Sequence, residues 1–78
     1  MTKLMTPKDV ASRIDWAIHC LTEALKDVKA ARGALEEGEI GTAETRAGFA
    51  ISEIAEATQE LELAYAELGL LIEENCNG

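Results

Sequence analysis

The side chains with the best spacing for chemistry are a row of carboxylates and an acid–histidine pair. Glu53, Glu56 and Glu60 recur at i, i+3 and i+7, which places them on one face of a helix. Carboxylates gathered in a helical bundle can hold two metal ions, and Asp15 and His19, four residues apart, could share one. Di-iron bundles use Glu-x-x-His, however, and the only histidine has no Glu three residues before it. These groups are therefore more typical of a surface than of a metal centre.

The sequence also lacks the usual arrangements of nucleophiles and phosphate-binding loops. Cys20 and Cys76 have neither metal-binding nor redox spacing, and no Ser/His/Asp set or Gly-rich phosphate loop occurs. We therefore expect a protein that is not an enzyme, needs no cofactor, binds no metal and keeps its thiols free.

The chain is short and acidic, with 15 Asp and Glu residues against seven Lys and Arg and a net charge of −8. Binding to a nucleic-acid backbone or to an anionic membrane requires basic residues, so neither is expected. The N-terminal residues lack the apolar core of a signal peptide, and no apolar run approaches the length of a membrane span. We expect a cytoplasmic protein, and two interpretations of its acidity stay open: a partner protein with a basic surface, or mimicry of a polyanion.

Helix-forming residues dominate the composition, and the signals that start and stop helices are well placed. Thr6 followed by Asp9 predicts a capped helix start, Gly38 suits the left-handed position after a helix, and Thr42 predicts a second cap. A connection this short makes the two helices antiparallel. The sequence therefore predicts one all-α hairpin domain over residues 1–78, with helix 1 at about 7–37, a turn at 38–42 and helix 2 at about 43–74.

A shared seven-residue repeat predicts how the two helices pack. With Ile14 and Ala47 at heptad position a, both helices have Ala at position d and mostly large apolar residues at a and e. Small residues allow helix backbones to approach closely, so we expect an alanine seam between the helices. The predicted seam pairs are Ala17 with Ala64, Ala24 with Ala57, and Ala31 with Ala50.

The a and e positions together form a broad apolar face that two helices cannot cover by themselves. Each large side chain left in water forfeits about 1.5–3 kcal/mol of hydrophobic stabilisation. A second copy is the simplest cover and would give a homodimeric four-helix bundle. The predicted oligomer interface consists of Ile14, Ile18, Leu21, Leu25, Val28, Leu35, Ile51, Ile54, Leu61, Tyr65, Leu68 and Ile72.

The other side of the seam, formed by positions g and c, combines glutamates with a few large apolar residues. A Glu recurs every seven residues from Glu53 onward, and Trp16 is the candidate anchor for a partner protein with these acids as a rim. Alternatively, Leu4 and Met5 cover Trp16, or Trp16 lies in the interface of a larger oligomer, and the glutamates only keep the protein soluble. The predicted partner-binding residues are Trp16, Cys20, Glu23, Phe49, Glu53, Glu56, Glu60, Leu63, Glu67 and Leu70.

In its predicted architecture the chain resembles small phage-encoded inhibitor and counter-defence proteins and the plasmid copy-number RNA-binding hairpin. RNA binding by such a hairpin needs a basic face, which is missing here. The leading hypothesis is therefore a non-catalytic protein–protein interaction module, a small inhibitor or adaptor that binds a partner protein through its acidic helix face. Two alternatives stay open: an oligomer that holds a small molecule or nucleotide between its subunits, and a carboxylate metal-binding bundle.

Overall fold

The computed structural model describes residues 5–77, with side chains as far as residue 74, and contains two long helices packed against each other. Helix α1 spans Pro7–Glu36 and helix α2 spans Ile40–Asn77. The molecule measures 60 × 20 × 14 Å, and its smallest dimension is close to the ~10–12 Å diameter of one helix. The predicted all-α hairpin is confirmed, and it is a single layer of helices with both broad sides open.

The start of α1 has the predicted capping arrangement. The Thr6 hydroxyl accepts a hydrogen bond from the backbone N–H of Asp9 at 3.2 Å, and the Asp9 carboxylate accepts one from the N–H of Thr6 at 3.0 Å. Pro7 occupies the first helical position, where an N–H would have no partner in the helix. Val10 in the first turn is 2% exposed, so the beginning of α1 is buried as well as capped.

The turn between the helices is built on Gly38, as predicted. Gly38 has a φ of 79°, which only glycine adopts without strain, and its N–H donates to the carbonyl of Leu35 at 3.0 Å. The N–H of Glu39 donates to the carbonyl of Ala34 at 2.8 Å. These two bonds form a Schellman motif, which ends α1 and reverses the chain direction at once.

Helix α2 begins earlier and ends later than the sequence predicts, and Thr42 is not a helix cap. The carbonyl of Glu39 already accepts a hydrogen bond from the N–H of Ala43 at 3.0 Å, so the helix starts at Ile40 and Thr42 lies inside it. The Schellman motif completes the reversal, and no further turn residues are needed. At the other end α2 continues to Asn77, because neither Pro nor a left-handed residue interrupts the part of α2 that is described.

The predicted alanine seam is present along the contact between α1 and α2. Five of the six predicted seam alanines are at most 3% exposed, and the sixth, Ala31, is half-buried. Two further alanines, Ala34 and Ala43, are buried close to the turn. The five deeply buried seam residues are Ala17, Ala24, Ala50, Ala57 and Ala64.

The pairing along the seam is shifted relative to the prediction. Ala17 forms a buried cluster with Cys20 and Ala57, whereas the sequence placed Ala17 opposite Ala64. The shorter turn explains the shift, because fewer residues separate the helices and each α1 residue then faces an earlier residue of α2. Alanines still meet along the seam after this shift, because d positions recur every seven residues along both helices.

Candidate functional site

One side of the seam, the a/e face made of the twelve residues predicted for the oligomer interface, is apolar and uncovered. Eleven of the twelve are exposed, from 41% at Leu61 and Leu68 to 81% at Tyr65, and Ile14 is half-buried. An open groove on this face is lined mainly by Ile14, Thr58, Leu61, Tyr65 and Leu68. No second layer of the hairpin covers this surface among the described residues.

The other side, the g/c face made of the ten predicted partner-binding residues, contains a cross-helix ion pair. The Arg13 guanidinium donates from Nε and Nη2 to the two oxygens of Glu67, each at 2.9 Å, and from Nη1 to Glu60 at 3.0 Å. These hydrogen bonds, that of Glu67 first, raise the pKa of Arg13. Arg13 therefore largely neutralises both glutamates, which were predicted as partner contacts, and the resulting ion pairs join α1 to α2.

Trp16 is held in place on the g/c face while remaining accessible. Its indole N–H donates to the Glu56 carboxylate at 2.7 Å, and its ring stacks on His19 with 5.1 Å between centroids. Trp16 is still 47% exposed. Leu4, one of the two residues predicted to cover it, lies outside the described residues.

Cys20 belongs to the packing of the seam rather than to a reactive site. It is 5% exposed, is not in a disulfide, and its thiol lies 3.7 Å from the Glu56 carboxylate. Burial, followed by the negative charge of Glu56, raises the pKa of the Cys20 thiol. The thiol is therefore kept neutral, which disfavours nucleophilic or redox chemistry.

Glu53 faces other acids near the turn-side half of the g/c face. Burial first, then a hydrogen bond with Asp27 and the charges of Asp27 and Glu23, raise its pKa, while His19 opposes the shift. Its Oε1 atom is buried and has no hydrogen-bond partner within the described part of the chain. Asp27 itself accepts from Arg46 at 3.1 Å. A hydrogen bond between two carboxyl groups requires a proton, so ionisation of Glu53 opposes this contact as the pH rises.

Replacing Glu53 with Gln is expected to stabilise the hairpin at neutral pH and to weaken its pH dependence. The pKa of Glu53 is raised on folding, so its stabilising proton is present below the unfolded pKa and is lost as the pH rises through the folded pKa. A Gln amide donates to Asp27 at every pH. Urea unfolding of both proteins from about pH 4 to about pH 8 measures the difference.

The matched control for that substitution is Glu73→Gln, at an exposed carboxylate on the same helix. It should leave the pH profile of the wild-type protein unchanged. An identical pH dependence of unfolding for the wild type and Glu53→Gln would show that the Glu53–Asp27 contact has no influence on folding.

The remaining members of the g/c face are apolar and exposed, or acidic with a local partner. Phe49 is 52% exposed, Leu63 44% and Leu70 53%, and Glu23 accepts from Lys26 at 3.0 Å. Together with Trp16 these residues give the g/c face four large exposed apolar side chains. The g/c face is thus a mixed surface, with its charges largely engaged and its apolar groups available.

Three residues outside the predicted oligomer interface and the predicted partner-binding set shape these surfaces. Arg13 and Arg46 neutralise acids on the g/c face, and a charge count across facing g positions would have indicated the role of Arg13. Ile40 was assigned to the turn, but it is helical, 73% exposed and one heptad before Ala47. Counting the repeat back by one heptad would have added Ile40 to the a/e face.

The geometry defines a class: a helical hairpin with an alanine seam, one uncovered apolar face and one mixed face held by ion pairs. Over the described stretch, neither helix is long and apolar enough to cross a membrane. Among residues 5–74, whose side chains are described, there is also no group of three or more His, Cys, Asp or Glu that could hold a metal ion. Comparison of the chain with protein-family models, curated proteins and solved structures gives no match.

Proposed function

We propose that this protein is a non-catalytic protein–protein interaction module, which dimerises through its a/e face and binds a partner protein through its g/c face. The observation that carries the proposal is the presence of large exposed apolar side chains on both broad sides of a hairpin only one helix thick. In this proposal the dimer is a four-helix bundle, and the partner-binding surface lies on its outside.

The area of the a/e face supports its burial against a second copy. Eleven large side chains at least 41% exposed present an apolar area on the order of 1,000 Å² per chain, comparable to the ~800 Å² per partner of a stable interface. The buried core of the hairpin consists mainly of alanines, which contribute little hydrophobic stabilisation. Folding of this chain therefore depends on covering the a/e face, and a copy of the same chain is always available to do so.

The distribution of polar contacts supports assigning different tasks to the two faces. On the g/c face Arg13, Trp16 and Arg46 each bond to an acid on the opposite helix, so most polar groups on that side already have partners within one chain. Across the a/e face, by contrast, no ion pair or hydrogen bond joins the described side chains of α1 and α2. A dry contact with another apolar face suits the a/e side, and a smaller, wetter contact suits the g/c side.

Recognition on the g/c face is proposed to rely on Trp16 and its apolar neighbours more than on the glutamate row. Trp16 combines 47% exposure with an indole fixed by Glu56 and His19, which is how an anchor for a partner is prearranged. Glu60 and Glu67 are paired with Arg13, so they contribute a weak residual field. With a net charge of −8 the protein still favours a partner with a basic surface, as an inhibitor or adaptor would.

Affinity capture from the native host tests this proposal with variants of the two faces. We expect Trp16→Ala and Leu63→Glu to lose a protein that the wild type retains, because both remove exposed apolar contacts on the g/c face. Gln59→Ala, at an exposed position of α2 that belongs to neither face, should retain it. Identical captured proteins for the wild type and both g/c variants would contradict the proposed recognition surface.

A further inference from the structure

We infer that the second copy docks with its turn at the opposite end of the bundle, so that α1 packs on α1 and α2 on α2. This inference rests on the proposed dimer and concerns how its two a/e faces meet. The alternative arrangement has both turns at the same end, with α1 of one copy on α2 of the other. Charges along the edge of the a/e face distinguish the two arrangements.

Four unpaired charges lie along the outer edge of the a/e face on α1. Lys8, Asp15, Lys29 and Glu36 occupy successive heptad b positions beside the e residues, with Thr22 at the centre of the row. All four are exposed, and none has an ion-pair partner among the residues whose side chains are described. From Lys8 to Glu36 the charges are positive, negative, neutral, positive and negative. When a second copy of this row runs in the opposite direction beside the first, each charge therefore faces an opposite charge.

A two-fold axis through Thr22 pairs every charge of this row with an opposite one. Asp15 and Lys29 are each seven residues from Thr22, and Lys8 and Glu36 are each fourteen. In an α1–α1 contact of opposite direction, Asp15 therefore faces Lys29 of the second copy, and Lys8 faces its Glu36. Symmetry doubles these contacts to four opposite-charge pairs at the rim of the interface.

The same axis is compatible with α2. Cys20 packs with Ala57 in the seam, so Thr22 on α1 and Ala55 on α2 lie at nearly the same height of the hairpin. Ala55 would then face Ala55 of the second copy. Glu62 and Gly48 are each seven residues from Ala55, so Glu62 of one copy would face Gly48 of the other. No like charges meet along this edge of α2.

The arrangement with both turns at the same end is disfavoured by the same charges. Ile14 and Glu62 line one groove, so Asp15 would face Glu62 of the second copy, and two acids would meet twice by symmetry. Because the helices are antiparallel, the Asp27–Arg46 bond places Lys29 near the height of Glu44. Each such opposite-charge contact only offsets one Asp15–Glu62 contact, whereas the first arrangement has four opposite-charge pairs and no like-charge pair along this edge. Like charges directly opposed at an interface destabilise it.

A distance between the two turns measures the arrangement directly. A spin label on Glu37→Cys, in a Cys76→Ser background, reports this distance because Cys20 is only 5% exposed and resists labelling. We expect roughly 45 Å, the length of about 30 helical residues, by double electron–electron resonance. A distance of about 20 Å, close to two helix diameters, would overturn the inference while leaving the dimer intact.

Charge reversal gives an independent readout of the same contact. Asp15→Lys should weaken dimerisation about tenfold at low salt, and adding Lys29→Asp should restore it, because the swapped charges again face opposites. In the same-end arrangement Asp15→Lys would instead tighten the dimer by facing Glu62, which would overturn the inference. A monomeric wild type without an intermolecular dipolar signal would overturn the dimer proposal itself.

Discussion

Leu61→Glu is expected to abolish dimerisation and to reduce helix content at low concentration, whereas Leu63→Glu should do neither. Leu61 lies in the groove of the a/e face and is 41% exposed, and Leu63, two residues away on the g/c face, is 44% exposed. The two sites therefore match in residue type, helix and exposure in the single chain. They differ only in the surface on which they lie.

The expected loss of dimer affinity in Leu61→Glu is large because each dimer buries two copies of this residue, one from each chain. Losing about 1.5–3 kcal/mol of hydrophobic burial per copy, and forcing a carboxylate toward an apolar interface, weakens association by at least about a thousandfold. Circular dichroism and sedimentation at several concentrations measure helix content and mass together. Equal dissociation constants for Leu61→Glu and Leu63→Glu would rule out the a/e face as the dimer interface.

Ala57→Leu is expected to cause a large loss of stability by forcing the two helices apart. Ala57 is 1% exposed and packs with Ala17 and Cys20, so a larger side chain has no space to occupy. Overpacking of this kind costs about 1–3 kcal/mol per site. Separating the helices would also pull Arg13 away from Glu60 and Glu67. We expect a clearly lower urea midpoint and melting temperature.

Ala66→Leu is the control for the seam substitution, because Ala66 is exposed on α2 and lies outside the seam. Ala and Leu have similar helix propensities, so this change should shift stability by less than about 0.5 kcal/mol. Matching unfolding curves for Ala57→Leu and Ala66→Leu would mean that the helices do not approach each other through the alanines.

The alanine seam was predictable because heptad spacing depends only on the helical period. Ala17 and Ala57 recur on the d stripe of their helices, and such a stripe lies along one line wherever the turn falls. The exposure of the a/e face follows from the same geometry. Both predictions survive the shift in pairing, since they concern which face a residue occupies and not which residue lies opposite.

The turn was predicted less well because the sequence allows α2 to start at two positions, after Glu39 or after Thr42. Thr42 is a good capping residue by type, but Gly38 and Glu39 complete a Schellman motif that reverses the chain first. The motif depends on backbone hydrogen bonds, and many sequences satisfy these equally well. Only the fold shows that Ile40 is the first residue of α2.

The inward direction of the glutamates could not be predicted from charge counts on each helix alone. Glu60 and Glu67 look like an exposed acidic row when α2 is read by itself. The flexible side chain of Arg13 on α1 reaches both of them across the seam, and which acids lie within its reach depends on the register between the helices. The apolar part of the g/c face, centred on Trp16, was predictable because it depends only on its own helix.

The central claim, that the a/e face is covered by a second copy, is tested most directly by sedimentation equilibrium of the wild-type protein combined with thermal melts over a dilution series. The account predicts a species of twice the 8.4 kDa chain mass, whose melting temperature falls on dilution as helix and dimer are lost together. A single 8.4 kDa chain that keeps its full helix content and melts cooperatively at high dilution would contradict it.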